Sequence, residues 1–348
     1  MIEENVALLP YNTFKINANA RYFANYSSVA ELIEILQNEI CQKEKTLQIG
    51  GGSNLLFMND FDGLVLHSNI RFIQRIEDEL HSAEEDKNQI LIEAGAGVTW
   101  DDFVIYCVNN ELYGAENLSN IPGQVGASAV QNIGAYGVEA KDIIHEVKCV
   151  NINTQATEIF RNSDLQFDYR MSRFKKEWKN KYIITSVVYK LSTKTSYNLN
   201  YNNLQEAVER NGEISLQNIR NTILQIRNAK LPDPEIIGNA GSFFMNPIVT
   251  NEKFEELLST YPKVPHYTVS DTEVKIPAAW LIEMAGFKGK KMGNAAVHTT
   301  QPLVLINAGG ATGREIMALA QKIQTQLLLQ FDIILEQEVI VVENTNNH

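Results

Sequence analysis

The sequence predicts a protein that mixes α-helices with β-strands and divides into two parts. Apolar residues recur at helical spacing in several long segments, whereas shorter β-branched runs end at turn residues. Pro232 and Pro234 interrupt this pattern, because prolines placed so closely cannot continue the helix that precedes them. We therefore place a domain boundary in the segment 227–235.

The spacing of apolar residues predicts the following helices and strands. Helices are predicted over 28–42, 99–111, 203–210, 215–228, 252–258, 277–285 and 312–330. Strands are predicted over 46–49, 63–67, 89–93, 143–152, 157–160, 182–191, 303–307 and 333–342. Ser28 with Glu31, and Thr312 with Glu315, have the spacing of a capping box. The charged segment 77–87 is predicted to be a solvated loop, and 12–14 is either a strand entry or a contact loop.

Composition limits the class of protein. The 348 residues are enough for two or three domains, and 44% hydrophobic residues are typical of a soluble globular protein. A net charge of −12 argues against a nucleic-acid partner. We see neither a secretory signal nor an apolar run of the roughly 20 residues that span a bilayer, so we expect a cytoplasmic protein without a membrane partner. Three scattered cysteines predict neither a disulfide framework nor a metal site.

The segment 120–137 is rich in glycine and other small residues and almost uncharged. Gly123, Gly126, Gly134 and Gly137 remove side chains at short intervals, and Pro122 makes the entry a rigid turn. Backbone N–H groups crowded around such turns form concavities that hold phosphate oxygens. A tightly packed structural loop is the alternative, since glycine also occurs where backbones merely cross.

A second glycine turn follows the predicted strand 46–49. Its residues are Gly50, Gly51, Gly52, Ser53 and Asn54, and it is again a candidate for holding phosphate. The pair Gly95 and Gly97 does not open a dinucleotide fingerprint, because Trp100 stands where GxGxxG requires its third glycine. The sequence therefore excludes a Rossmann motif there.

Three residues are candidates for chemistry. Arg170 carries a permanent charge in a fork that suits a carboxylate, although a lone Arg also forms surface ion pairs. Ser242 lies in a permissive turn without the GxSxG pattern of hydrolases, and its hydroxyl either reacts or bonds the backbone. Glu338 lies in an apolar run, either at a strand edge or buried with a raised pKa that lets it share a proton.

Together these segments resemble one family, the UDP-N-acetylenolpyruvoylglucosamine reductases. The resemblance is carried by NTF at 12–14, GGGSN at 50–54, IPGQVGASAVQNIGAYG at 121–137, YR at 169–170, NAGSFF at 239–244 and LEQEV at 335–339. The segment 197–228 resembles the extra loop and helices of the longer subclass. The implied protein is a flavoenzyme of bacterial peptidoglycan synthesis.

The resemblance implies an α+β fold: a two-part FAD-binding unit of the vanillyl-alcohol-oxidase type and a smaller α+β substrate-binding domain. The implied ranges are 1–75 for the first FAD-binding lobe, 76–231 for the second lobe with its extra segment, 232–331 for the substrate domain and 332–348 for a strand that returns to the active site. A monomer is expected.

The resemblance also assigns roles to single residues. It makes Ser242 the proton donor to C2 of the enolpyruvyl group, with Arg170 and Glu338 stabilising the charge that develops beside it. NADPH is the implied source of hydride, which side chains cannot supply. The residues implied for the UDP-sugar are Tyr201, Lys230, Asn246 and Gln301. Those implied for FAD are Gly50, Gly51, Gly52, Ser53, Asn54, Pro122, Gly123, Gly126, Ala127, Ser128, Asn132, Gly134 and Ala135.

The chain departs from the family at two positions, since Gln337 and Ile340 stand where the family usually has proline and arginine. Both flank Glu338, so they leave open how its orientation and local charge are set. Two rival functions are an FAD-dependent sugar or alcohol oxidase and a catalytically silent FAD-binding protein. Neither rival requires Arg170, Ser242 and Glu338 together.

Overall fold

The computed structural model describes residues 1–76 and 88–344, so the predicted loop at 77–87 lies outside the described residues. The chain forms two compact units. The first consists of 1–6, 20–51 and 62–229, and the second of 7–19, 52–61 and the chain from 230 onward. Residues 7–19 and 52–61 lie inside the range expected for the first FAD-binding lobe but are grouped with the second unit.

The described residues contain nine α-helices, none of which is both long and apolar enough to cross a bilayer. Helix is present in each predicted range, although the range 28–42 holds two helices, and α4 was not predicted. The helices are α1 (Val29–Gln37), α2 (Glu39–Lys43), α3 (Trp100–Asn109), α4 (Val125–Gln131), α5 (Leu204–Asn211), α6 (Leu216–Lys230), α7 (Asn251–Thr260), α8 (Ala278–Met284) and α9 (Gly313–Phe331).

The strands in the same ranges are β1 (Ile2–Ala7), β2 (Asn19–Tyr26), β3 (Thr46–Ile49), β4 (Leu55–Phe57), β5 (Phe61–Ser68), β6 (Ile73–Ile76), β7 (Gln89–Gly95), β8 (Gly134–Ala135), β9 (Val138–Glu139), β10 (Ile144–Asn151), β11 (Thr157–Arg161), β12 (Tyr182–Ser192), β13 (Asn239–Ser242), β14 (Ile248–Thr250), β15 (Tyr267–Thr268), β16 (Glu273–Lys275), β17 (Lys291–Met292), β18 (Ala295–Val297), β19 (Val304–Asn307) and β20 (Ile340–Val342).

The first unit begins with a four-stranded sheet in the order β1-β2-β5-β3, in which β3 and β5 are parallel. Apolar residues of α1 and of β5 form one buried cluster. The single helix predicted over 28–42 is wrong, because the chain leaves the helical conformation at Asn38. There the Asn38 side chain accepts the N–H of Ile40 and starts α2, since asparagine competes with the helix for backbone bonds.

A five-stranded antiparallel sheet, in the order β11-β10-β12-β7-β6, forms the rest of the first unit's framework. The helices α3 and α4 contribute to a large apolar cluster with this sheet. Trp100, Phe103 and Tyr189 lie at its centre, with the rings of Phe103 and Tyr189 4.3 Å apart. The Trp100 indole donates to the Leu118 carbonyl at 2.8 Å, so its one polar atom is satisfied inside the core.

The helices α5 and α6 share a smaller apolar cluster. A nearly buried ion pair also fixes α6 to α3, because both guanidinium nitrogens of Arg220 donate to the Asp101 carboxylate at 2.7 Å. Burial on its own would raise the pKa of Asp101. The hydrogen bonds from Arg220 and from the backbone N–H of Asn120 outweigh it and hold that pKa below its ordinary value.

The second unit contains a four-stranded antiparallel sheet in the order β13-β19-β18-β17. The helix α9 packs on it and buries Ile316, Leu319 and Ile323, the residues that the periodicity had placed inward. The predicted capping box of Thr312 and Glu315 is present. A small sheet, β14-β16-β15, lies beside α7.

The segment 12–14 is a contact loop rather than a strand entry. The Asn12 amide nitrogen donates to the carbonyls of Leu8 and Ile16, and its oxygen accepts the Ile16 N–H. The following carbonyl of Thr13 accepts the N–H of Asn239, at the start of β13. This loop therefore supports the strand that carries Ser242.

The strand predicted over 333–342 is wrong for its first part, since only β20 is regular strand. Here β20 pairs in parallel with β4, whereas 336–339 bonds to the chain after Ser242 instead. The alternation of apolar residues is real, with Ile333 and Leu335 buried and Ile334 71% exposed. The alternation of apolar residues does not indicate which backbone a segment bonds.

The contribution of the Asp101–Arg220 ion pair to the stability of the first unit can be tested. Asp101→Ala leaves a guanidinium that is 8% exposed without its carboxylate, so we expect the free energy of unfolding to fall by about 3 kcal/mol. Glu39→Ala, which removes the exposed pair with Lys43, should cost less than about 1 kcal/mol. Urea denaturation measures both values, and equal losses would show that the Asp101 pair contributes no more than a surface pair.

Candidate functional site

The two glycine turns predicted from sequence touch each other in the first unit. A side chain added at Gly51 would lie 3.3 Å from the Cα of Gly123, and one at Gly50 would lie 3.1 Å from the Gln124 side-chain oxygen. At Gly51 backbone therefore approaches backbone closely, and a side chain there would force Gly123 to shift. The rest of the first turn, Gly52 to Asn54, belongs to the second unit.

The segment 120–137 is only partly an open turn. Pro122 is exposed and Gly123 has a φ of 121°, but the chain then enters α4. A side chain at Gly126 would lie 2.9 Å from the Ala96 Cβ, and the buried Ser128 hydroxyl bonds Tyr189 at 2.9 Å. The expectation of an open turn is wrong over 125–131, where small residues let the helix pack closely. The neighbouring Ala127 is partly exposed.

Arg170 is hydrogen-bonded to the end of the segment 120–137. Its guanidinium donates to the carbonyl of Gly134 at 2.7 Å, and a side chain at Gly134 would lie 2.8 Å from the same group. Asn132 is buried with a φ of 47°, and its side chain accepts the Lys141 N–H and donates to the Asp168 carbonyl. Arg170 is thus fixed on the backbone of the glycine-rich segment rather than on the protein surface. This segment continues into β8, which contains Ala135.

Tyr201 belongs to the extra segment before α5 and is 37% exposed. Its ring stands edge-on to that of Tyr136, with ring centres 5.9 Å apart. The amide of Asn117 donates both to the Tyr136 carbonyl and to the Asn198 carbonyl, which ties the extra segment to the glycine-rich one. Arg170 and Tyr201 are therefore both attached to the residues 132–137.

Arg227 is a residue that the sequence reasoning missed. Its buried Nε lacks a hydrogen-bond partner among the described residues. Burial lowers the pKa of this guanidinium, and the neighbouring Tyr136 and Asp101 oppose that effect. An unpaired buried donor is costly, so a polar acceptor from a bound cofactor fits this position. The only signal in the sequence is its spacing from Arg220, two turns earlier on the same helix.

Ser242 lies at the end of β13 in the second unit, opposite Val304 of β19. Asn239 shapes the turn before it: the amide oxygen accepts the N–H of Gly241, and the amide nitrogen donates to the Ile237 carbonyl at 2.8 Å. Ser242 is half-buried, and Phe243 after it is fully buried. Ser242 therefore sits on a backbone whose position is fixed, as a reacting group requires.

Glu338 lies on the stretch of chain that bonds the residues after Ser242. The N–H of Glu338 donates to the Phe243 carbonyl at 2.9 Å, and the N–H of Met245 donates to the Glu336 carbonyl at 2.9 Å. The side chain of Asn54 donates to the Glu338 carbonyl at 3.1 Å, and the Asn54 carbonyl accepts the N–H of Ile340. The fold thus brings Ser242 and Glu338 onto adjacent backbone segments.

The family's usual proline at 337 is dispensable for this arrangement. We call the backbone hydrogen bonds that join 336–340 to Asn54 and to 243–245 the ladder. The bonds described for it use the N–H groups of Glu338 and Ile340 and not that of Gln337, so proline or glutamine at 337 leaves the same bonds intact. The Gln337 amide instead donates to the sulfur of Met317 on α9 at 3.7 Å. The ladder and Asn54, rather than residue 337, therefore set the position of Glu338.

The remaining predicted residues lie in the second unit. Lys230 is the exposed last residue of α6. The Asn246 amide oxygen accepts the N–H of Ala278 and so caps α8 at 2.9 Å. The backbone N–H of Gln301 donates to the ring of His298 at 3.3 Å, and the Thr300 hydroxyl donates to the Lys230 carbonyl at 3.2 Å. Sequence reasoning missed His298 and Thr300.

These features define the class of protein. Two touching glycine turns and an unpaired buried guanidinium nitrogen suit a phosphate-bearing cofactor held outside a Rossmann fold, and Ser242 and Glu338 lie on adjacent backbone segments. A family model described as FAD binding domain matches residues 20–158. Another, UDP-N-acetylenolpyruvoylglucosamine reductase, C-terminal domain, matches residues 233–342.

Whole-chain comparisons agree. Proteins named UDP-N-acetylenolpyruvoylglucosamine reductase are similar to this chain: one from Flavobacterium johnsoniae is 44% identical, with 98% of this chain and 99% of that protein covered. One from Porphyromonas gingivalis is 45% identical over 97% and 98%, and one from Neisseria gonorrhoeae 44% over 95% and 94%. The chain belongs to the UDP-N-acetylenolpyruvoylglucosamine reductase family, so the predicted resemblance is confirmed.

A solved structure agrees with the fold. The crystal structure of the reductase from Thermus caldophilus is 21% identical, covers 99% of this chain and 100% of its own, and has a TM-score of 0.66. Together with the FAD-binding family model, it confirms the predicted α+β class.

The ladder around Glu338 can be tested by introducing proline at two positions. Gln337→Pro should leave folding and turnover within about twofold of the natural protein, because the ladder does not use that N–H. Ile340→Pro removes the bond to the Asn54 carbonyl and should lower both the melting temperature and turnover. A large loss in Gln337→Pro would contradict the assignment of Glu338 to the ladder.

The glycine contacts can be tested by flavin content. Gly51→Val places a branched side chain against Gly123 where the two turns meet, so we expect a folded protein with little bound flavin. Gly126→Val forces the same side chain into the core beside Ala96 and should lower the melting temperature as well, by overpacking of about 1–3 kcal/mol. Visible absorption and thermal denaturation separate the two; full flavin content in Gly51→Val would contradict the role of the turns.

Proposed function

We propose that this protein reduces the enolpyruvyl group of UDP-N-acetylglucosamine enolpyruvate to give UDP-N-acetylmuramate for peptidoglycan synthesis, with FAD as cofactor and NADPH as reductant. The observation that carries the proposal is the attachment of Ser242 and Glu338 to adjacent, hydrogen-bonded backbone segments in a chain of this reductase family. We assign the reaction to the cytoplasm, where NADPH, the proposed reductant, is supplied.

FAD, when bound, accepts a hydride from NADPH and passes it to the substrate. The residues proposed to hold it are those of the two glycine turns, with Gly50, Gly51 and Gly123 giving backbone access to its diphosphate. The unpaired Nε of Arg227 would donate to one of its polar atoms. Ser128 and Asn132, whose polar atoms bond within the protein, would support the cradle rather than touch the cofactor.

Side chains of the protein would supply the proton for C2 and stabilise the negative charge that develops beside it. Hydride addition to the CH₂ carbon of the enolpyruvyl group leaves an electron pair on C2, conjugated with the carboxylate. Ser242 would donate its hydroxyl proton to C2 and recover a proton from solvent. Arg170, fixed by the Gly134 carbonyl, and Glu338 in its protonated form, fixed by the Phe243 carbonyl, would stabilise the developing carboxylate charge. Both groups act mainly in the transition state.

Four residues are proposed to hold the UDP-sugar. Lys230 offers a point charge that suits a diphosphate, and Tyr201 offers an exposed phenol on a segment tied to Tyr136. Asn246 and Gln301 offer amides in the second unit. The rival oxidase function gains no support, because the relatives that match nearly the whole chain are named as reductases.

Because Ser242 is proposed to act only in the reduction of the substrate, Ser242→Ala should affect the two half-reactions differently. Reduction of the flavin by NADPH needs no proton at C2, so its rate should stay within about twofold. Reoxidation by the UDP-sugar needs that proton and should slow by the ~10²–10⁴-fold typical of lost general acid catalysis. Stopped-flow absorbance resolves the two half-reactions.

Ser242→Cys is the matched variant, because a thiol of similar size retains a proton to donate. It should recover part of the reoxidation rate that the alanine variant loses. Equal slowing of both half-reactions in Ser242→Ala, or weaker substrate binding with an unchanged reoxidation rate, would mean that the serine is structural.

A further inference from the structure

The turn between β18 and β19 connects two residues of the proposed UDP-sugar site. Gln301 ends this turn, and the N–H of Val304 donates to its carbonyl at 3.0 Å. Lys230 lies far away in sequence, yet the Thr300 hydroxyl donates to its carbonyl at 3.2 Å. The last carbonyls of a helix lack intrahelical partners, so Thr300 supplies one at the end of α6.

His298 completes this connection at the start of the turn. Its Nδ1 lies 3.3 Å from the backbone nitrogen of Gln301 and 3.2 Å from the Thr300 hydroxyl oxygen. A backbone N–H can only donate, so Nδ1 must be the ring nitrogen without a proton, and the ring is neutral with its proton on Nε2. Burial lowers the pKa of His298, which agrees with a neutral ring.

The neutral ring also sets the direction of the Thr300 hydroxyl. The lone pair of Nδ1 is shared with the Gln301 N–H, and the hydroxyl has a single proton to give. The Lys230 carbonyl is the better acceptor for that proton. Nδ1 thus fixes the backbone of Gln301, and Thr300, the preceding residue of the same turn, fixes that of Lys230.

We propose that His298 is a positioning residue that holds Lys230 and Gln301 in register for the diphosphate of the UDP-sugar. This inference rests on the proposed function, since it needs both residues to contact the nucleotide. It predicts an effect on capture of the UDP-sugar and not on the chemical step, because the side-chain bonds described for His298 and Thr300 join Gln301 and Lys230 and do not involve the Ser242 hydroxyl.

Four variants test the proposal. His298→Leu removes the acceptor, and His298→Asn keeps an acceptor oxygen near Nδ1. Thr300→Val removes the hydroxyl at nearly constant shape, and Thr300→Ser keeps it. Each is purified with its flavin, and its melting temperature is compared with that of the natural protein. Titration with UDP-N-acetylglucosamine enolpyruvate, followed by the flavin spectrum, gives Kd, and stopped flow gives the limiting rate of reoxidation.

We expect Kd to rise about tenfold in His298→Leu and in Thr300→Val, the size of one lost hydrogen bond. The limiting reoxidation rate should remain within about twofold. His298→Asn and Thr300→Ser should recover most of the affinity, and the double variant His298→Leu/Thr300→Val should bind no worse than about the weaker single variant, because both act on one network.

The matched control is Thr299→Val, since Thr299 is the exposed neighbour whose methyl group faces Gly289. It should leave Kd unchanged. Unchanged Kd in both His298→Leu and Thr300→Val, or a fall in the limiting rate equal to the loss of affinity, would overturn the inference. Failure of the natural protein itself to bind the UDP-sugar would instead overturn the proposed function.

Discussion

The second unit depends on a short ladder between the residues after Ser242 and the stretch that carries Glu338. The Phe243 carbonyl accepts the Glu338 N–H, and Asn54 holds the same stretch from its other side. Beyond this point β20 pairs with β4. Three segments that are far apart in sequence are therefore fixed together, and the proposed proton donor and acid gain defined positions from backbone bonds rather than from their own side chains.

The first unit depends on close backbone contact. Gly51 and Gly123 meet without side chains, and Gly134 leaves the space that the Arg170 guanidinium fills. Glycine thus has different uses within one short segment, because Gly126 serves the packing of α4 on the core. The sequence left open a packed structural segment or a close-approach turn; residues 125–131 pack closely as the helix α4, and Gly123 lies in a close-approach turn.

The departures from the family pattern near Glu338 have a physical account. Residue 337 occupies a position whose N–H the ladder does not use, which is where proline is tolerated in paired strands. Glutamine there gains a contact with Met317 and costs the ladder nothing. Ile340 donates its N–H to Asn54, a backbone bond that any residue except proline can make.

The sequence alone indicated most of the helices, several of the strands, the two glycine-rich segments and the family, since these depend on spacing and residue type within short segments. It missed the break at Asn38, the helix at 125–131 and the irregular chain at 333–339, where a side chain or a distant strand competes for the backbone. Only the tertiary structure decided which backbone holds Glu338, what fills the space above Gly134 and that the turn with His298 and Thr300 links Gln301 to Lys230. Those contacts join residues that are far apart in sequence, and no local pattern of apolar residues records such a hydrogen bond.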